Sequence, residues 1–299
     1  MLARIQQAIV LTIAGLAVAA GILGMQTGRP WLGGAVLVLA AAGYAGAIAF
    51  EFSLLFCSYA PGDTERPHVR ELARAWATEV AVAPRVFLWN QPFRSTTEPD
   101  SLPASSQGRV GVVFVHGFFC NRGLWNAWLR RFRAAAVPFV AVNLEPVLAS
   151  IDDYRGPIAT AVARLTAATG NPPLVVAHSM GGLAVRGWLA ADRNARVHGL
   201  VTIATPHAGT RLARHARGTN AAQMREGSAW LAALARVEGM SARTPTLCFW
   251  SRCDNIVFPT RNATLAGADN RELVHAPHVA MAFHPAAIEA VLRLLDAPG

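Results

Sequence analysis

The sequence predicts a mostly parallel β-sheet covered by helices on both faces, preceded by two membrane-spanning helices. Three observations carry that expectation. From residue 110 onward, short apolar runs alternate with helical stretches, as they do in parallel sheets buried on both faces. One such run, residues 174–177, continues through His178 to Ser179 and straight into a helical stretch beginning Met180-Gly181-Gly182. The first 50 residues hold two uncharged, almost wholly apolar stretches, residues 8–25 and 31–50. Each is about the length needed to cross a hydrocarbon core of about 30 Å.

The elements follow in order. Gln26-Thr27-Gly28-Arg29-Pro30 separates the apolar stretches as a turn, so residues 1–60 read as a transmembrane helical hairpin. For the first stretch the alternative is a secretory signal peptide, with Val18-Ala19-Ala20 near a cleavage site. A second spanning stretch following at once, and an n-region holding Arg4 alone, weigh against it. Residues 61–84 form a connection. Within it Val69, Leu72, Ala73, Trp76 and Val80 have helical spacing, for a helix on the membrane surface or packed on the domain. Residues 86–89 are a strand candidate, and the Pro/Ser-rich residues 91–108 a surface loop. Strands are then expected at 110–116, 138–144, 174–177, 197–204, 245–251 and 272–275. Helices are expected at 126–136, at 158–169, after Ser179, and at 285–295. Residues 85–299 thus form one domain. Within it, 208–244 is helical in composition. Arg211, Arg214 and Arg217 lie close to one helical face there, either as an ordinary solvated face or as a surface that meets lipid headgroups.

Composition narrows the function classes. Apolar residues make up 53% and charged residues 15%, against about 25% charged in typical soluble domains. The apolar excess is concentrated at the N-terminus. Net charge is +9 and every basic residue is arginine. Five of the 27 basic residues and five of the 18 acids lie in residues 1–80, so the positive excess belongs to the rest of the chain. That fits a generally arginine-rich composition or attraction to an anionic membrane face. No nucleic-acid reading motif and no basic–aromatic interleaving is present. Cys57, Cys120, Cys248 and Cys253 show no zinc spacing. Cys248 and Cys253 are close enough in sequence to pair, but free thiols are expected, with Cys120 a packing residue.

The chemistry concentrates at Ser179. A serine between a strand and a helix, with small residues two positions before and after it, is the context of a nucleophile elbow. Ala177 and Gly181 are those small residues. Serine needs a base and an oxyanion hole to act. Residues 110–118 (VGVVFVHGF) end a strand in His-Gly-Phe, a loop that suits one oxyanion donor, the N–H of Phe118. The second donor is the N–H of Met180, at a helix N-terminus where the dipole favours negative charge. The acid candidate is Asp254, just past the 245–251 strand, with Asp269 as its rival. The base candidate is His278, just past the last strand; His275, within that strand, and His284, at the start of the last helix, are rivals.

The order Ser179, Asp254, His278, the strand-HGF loop and the strand-AHSMGG elbow together resemble the α/β-hydrolase superfamily. Within it they are most similar to compact bacterial triacylglycerol lipases and carboxylesterases, in which Ala-His-Ser-Met-Gly is a recurrent variant, so Ala177 is no obstacle. Residues 205–210 (TPHAGT) resemble a turn of the same lipases. The resemblance covers about residues 85–299. It implies an α/β-hydrolase fold with a possible cap at 208–244, and a Ser179-His278-Asp254 triad with Phe118 and Met180 as oxyanion donors. It also implies hydrolysis of carboxylic esters through an acyl-enzyme with no metal or organic cofactor. His207 is then structural or at the pocket rim, and His116 and His178 support the site. Acyl transfer or thioester hydrolysis on the same triad is the enzymatic alternative; a non-catalytic membrane scaffold is the alternative of another class. The expected partners are a hydrophobic ester or acyl lipid and the membrane itself. Arg4, Arg66, Arg70 and Arg74 flank the hairpin while Arg29 lies in its turn. The positive-inside rule then places the domain on the cytoplasmic side of a bacterial inner membrane.

Overall fold

The structure is a computed structural model that describes residues 1–60, 62–238 and 244–296. Two long helices open the chain, α1 (Leu2–Gln26) and α2 (Leu32–Ser58). Both are long and apolar enough to cross a membrane: at about 1.5 Å per residue they reach well beyond a core of about 30 Å. They lie against one another at their small residues, where Gly21 meets Gly33. Most of their large side chains, such as Leu16, Val18, Val38 and Leu39, are exposed. A chain in water would bury such surface; a hairpin in lipid has no reason to.

Helix α3 (Val69–Pro84) follows. Its apolar stripe includes Leu72 and Ala75, which pack with Ile48, Phe52 and Leu55 of α2 and with Cys253 and Phe258 of the domain. It is therefore a helix clasped between the hairpin and the domain. Residues 85–90, expected in part as a strand, instead continue the helix as a wider π-turn, Arg85–Asn90, and run into α4 (Gln91–Phe93). A short apolar run cannot by its periodicity tell strand from helix. Pro84, the last residue of α3, keeps helical φ and ψ although it cannot donate an N–H, and the wider π-turn follows directly after it.

The domain is built on six strands: β1 (Val112–Val115), β2 (Phe139–Ala141), β3 (Leu174–His178), β4 (Gly199–Ile203), β5 (Thr246–Trp250) and β6 (Asp269–Glu272). All pair in parallel in the order β2-β1-β3-β4-β5-β6. Alternate side chains of each strand face opposite layers. Val112 and Phe114 of β1 and Leu174 and Val176 of β3 point to one layer, with α5 (Asn126–Ala134) and the C-terminal α11 (Pro285–Asp296). Val113, Val115, Val175 and Ala177 point to the other, with α6 (Arg155–Thr169) and α7 (Met180–Ala191). Near-continuous apolar runs follow from burial on both faces.

The last strand lies three residues earlier than the sequence suggests. β6 is the polar stretch Asp269–Glu272, mostly exposed at the sheet edge. It has no apolar signature to read, and a charged edge resists unwanted pairing. His275 is thereby moved out of the strand, into a turn with φ of 58°. The 208–244 segment holds a 3-10 turn, Arg211–Arg214, and two short helices, α8 (Thr219–Gln223) and α9 (Ala229–Glu238); residues 239–243 lie outside the described residues. Arg211 pairs with Glu226. The stretch His278–Leu295 is also apolar enough to span a membrane. It is two helices, α10 (His278–Met281) and α11, broken at 282–284, and Met281, Ala287 and Val291 are buried against the sheet. All four cysteines are free.

Candidate active site

Strand order reverses between β1 and β3, and in open α/β sheets ligands bind at the carboxyl ends beside such a reversal. Ser179 stands there, between β3 and α7. Its backbone has φ 53° and ψ −130°, a conformation costly for a non-glycine residue and held only by its surroundings. Those surroundings are visible. Ser179 N–H donates to Ile203 O at 2.9 Å. Its carbonyl accepts from Thr205 Oγ1 at 2.9 Å. The approach of β1 to the elbow requires glycine. A Cβ on Gly181 would lie 2.5 Å from the His116 carbonyl oxygen, and one on Gly117 would lie 2.7 Å from Ser179 Cβ.

His278 opens α10, and its Nε2 lies 3.1 Å from Ser179 Oγ. Its Nδ1 lies 2.9 and 3.1 Å from the two oxygens of Asp254. A carboxylate only accepts, so Nδ1 carries the proton and Nε2 is free to accept from the serine hydroxyl. Asp254 is fully buried and also accepts from the N–H groups of Ile256 and Val257, both at 2.9 Å. Burial presses the His278 pKa down. The charge and hydrogen bond of Asp254, with Glu79 and Glu51 farther off, outweigh it, so the net shift is upward. The structure thus brings Ser179, His278 and Asp254 into one hydrogen-bonded line. The rivals lie elsewhere: Asp269 is exposed and paired with Arg271, His275 faces Glu71 at 3.5 Å, and His284 accepts from Ala286 N–H.

Phe118 follows Gly117 at the cavity wall. Met180 is the first residue of α7, where N–H groups have no carbonyl partner within the helix. His116 Nδ1 donates to Gly117 O at 2.9 Å, and its Nε2 accepts from Leu144 N–H at 3.0 Å. Burial lowers its pKa to about 4, so the neutral ring fixes the loop. His178 Nε2 donates to the His278 carbonyl at 3.1 Å. Burial, with His278 nearby, lowers its pKa to about 3. His207 is held away from Ser179, among Arg186, Thr202 and Cys248. Burial raises the Cys120 thiol to about 12, which keeps it an inert packing group.

Three further residues complete the site: Asn255, Glu51 and Glu79. Asn255 Oδ1 accepts from the His278 N–H at 3.2 Å, and its Nδ2 donates to Glu51 of α2 at 2.7 Å. Glu79 of α3 accepts from Val279 N–H at 2.8 Å and Ala280 N–H at 3.1 Å. It is 2% exposed, and burial, partly offset by those two bonds and by His278, raises its pKa to about 7. A signal for Glu79 does exist: it shares the helical stripe of Leu72, Ala75 and Ala83, where an acid is costly unless bonded. Glu51 is marked too, as the one charged residue of the apolar helix α2; nothing local marks Asn255.

Over Ser179 lies a cavity of about 240 Å³, with Ile48, Phe87, Phe118, Leu124 and Val279 among its lining residues. None of the described residues of 208–244 lines it. Its cover comes from α2, α3 and the π-turn. Among the described residues no cluster of three or more His, Cys, Asp or Glu could hold a metal ion.

The Alpha/beta hydrolase family model matches residues 112–296, more than half of the chain. The chain belongs to the alpha/beta hydrolase family. Solved structures agree on the fold. The mature lipase of Bacillus licheniformis superposes with a TM-score of 0.56 at 17% identity, over 63% of this chain and 92% of that one. Aspergillus fumigatus lipase B superposes with a TM-score of 0.59 at 21% identity, over 67% of this chain and 56% of that one. A sequence search of curated proteins finds no match.

Proposed function

We propose that this alpha/beta hydrolase is a membrane-anchored serine esterase or lipase. The observation that carries the reading is the unbroken line from Ser179 Oγ through the His278 ring to Asp254, at 3.1 and 2.9 Å, at the end of an apolar cavity. Ser179 attacks the ester carbonyl while His278 takes its proton. Asp254 keeps the ring in the right tautomer and stabilises the imidazolium. The N–H groups of Phe118 and Met180 receive the developing oxyanion. His278 then protonates the departing alcohol, the acyl group stays on Ser179, and water activated by His278 releases the acid.

Anchoring by α1 and α2 is part of the same reading. The arginine distribution about the hairpin supports a domain on the cytoplasmic side. Aromatic residues stand near both ends of the hairpin, Trp31 at its turn and Trp89 beside its base, both exposed, as interfacial anchors do. Lipase structures among the fold relatives support an acyl ester as substrate.

Hydrolysis of p-nitrophenyl esters from acetyl to palmitoyl, by detergent-solubilised protein and its Ser179→Ala variant, tests this. Turnover abolished in the variant is the expected result. Equal turnover by both proteins, or none by wild type at any length, contradicts it.

A further inference from the structure

Helix α2 approaches the catalytic serine with one stripe of its surface. Tyr44, Ile48 and Glu51, at i, i+4 and i+7, share that face and border the cavity over Ser179. One turn further, Phe52 and Leu55 fix the helix to α3 and the domain. Toward its N-terminus the same helix leaves the domain: Leu37, Val38 and Leu39 are 52%, 67% and 71% exposed. A single helix thus has its C-terminal half in the wall of the site and an apolar, exposed N-terminal half.

The cavity itself is mostly apolar, and its about 240 Å³ fall below the roughly 300–1,000 Å³ of pockets that enclose a drug-sized ligand. It holds part of a long acyl chain. The rest must leave past its walls. Phe87 borders the cavity, and its neighbours Leu88 and Trp89 are exposed. Exposed apolar side chains thus stand directly beside a cavity-lining one. Exposed apolar surface beside a membrane span is an interaction surface for lipid.

We infer that α2 is a wall of the acyl-binding pocket. The acyl chain of a membrane-resident ester lies against Tyr44 and Ile48, with its carbonyl at Ser179, and the spanning helix sets which chain lengths are accepted. This rests on the serine-hydrolase reading and adds to it the source of the substrate, the bilayer that holds the hairpin. The anchor is then part of the enzyme's specificity and not only a tether.

The test uses full-length protein in detergent micelles and the acetyl-to-palmitoyl p-nitrophenyl series. Ile48→Trp fills the wall; the palmitoyl ester is expected to lose at least tenfold more kcat/KM than the acetyl ester. Ile48→Ala moves the optimum toward longer chains. Leu39→Trp, on the lipid-facing surface, leaves the profile as in wild type. Fluorophosphonate labelling of Ser179 in each variant reports that the site is folded. If both Ile48 variants label normally and keep the wild-type chain-length profile, α2 does not line the acyl pocket and the inference fails. If wild type neither labels at Ser179 nor hydrolyses any ester, the hydrolase reading fails and this inference falls with it.

Discussion

Glu51, in an apolar helix long enough to span a membrane, accepts a 2.7 Å hydrogen bond from Asn255, the residue next to Asp254. Asn255 in turn holds the backbone N–H of His278. One side chain of the hairpin is thus two hydrogen bonds from the candidate base. Replacing Asn255 by Ala leaves the buried His278 N–H without its acceptor, at about 1–3 kcal/mol, and the part-buried Glu51 carboxylate without its donor. The expected outcome is a lower melting temperature together with a fall in kcat. In a double-mutant cycle, Asn255→Leu and Glu51→Leu are expected to couple by about 0.5–3 kcal/mol. Strict additivity would show that the contact carries no energy.

Glu79 makes a pH-dependent contribution. Its pKa is raised from 4.5 to about 7, so the folded protein holds that proton more tightly than the unfolded chain does. Stability from this group is full below about pH 4.5 and is lost as pH rises toward 7. A tenfold difference in proton affinity is worth about 1.4 kcal/mol, so the loss is at most about 3 kcal/mol. Glu79→Gln mimics the protonated carboxyl and is expected to melt progressively higher than wild type as pH goes from 4.5 to 7. A constant difference across that range would contradict this.

Asp254→Asn preserves shape but favours the wrong His278 tautomer. In the serine triads studied as templates that change costs about 10⁴ in kcat, and a loss of about that order in kcat is expected here, with KM little changed. A loss below tenfold would remove Asp254 from the proposed role.

Gly117→Ala places a methyl 2.7 Å from Ser179 Cβ. Something must shift, and the neighbours are backbone and the serine itself. Misplacement of about 1 Å costs on the order of 10²-fold. The variant is therefore expected to lose at least that much kcat/KM, with a melting temperature that falls only modestly.

Much of this fold is legible because burial on both sheet faces leaves nearly unbroken apolar strands, and β1, β3, β4 and β5 all carry that signature. The polar edge strand Asp269–Glu272 carries none, so the apolar pattern points three residues too late. Residues 86–89 mislead for a different reason. An apolar run of four has no period, and its helical state is imposed by α3 before it. Within the site, Ser179 is readable because its turn demands small neighbours in the sequence itself. Glu79 and Asn255 meet the His278 segment, and Glu51 meets Asn255, only through tertiary packing, with Glu79 and Glu51 each about 200 residues from their partners, and no local pattern records those pairings. The cavity cover, too, comes from α2 and α3 and not from the described part of 208–244, a consequence of how the hairpin docks.

The proposed chemistry depends above all on Ser179 being a nucleophile activated by His278. The most direct measurement is mass spectrometry of the full-length protein after brief exposure to a fluorophosphonate. One adduct per chain is predicted, on the peptide carrying Ser179, formed at least a hundredfold more slowly in His278→Ala. No adduct at Ser179, or the same rate of labelling without His278, would contradict it.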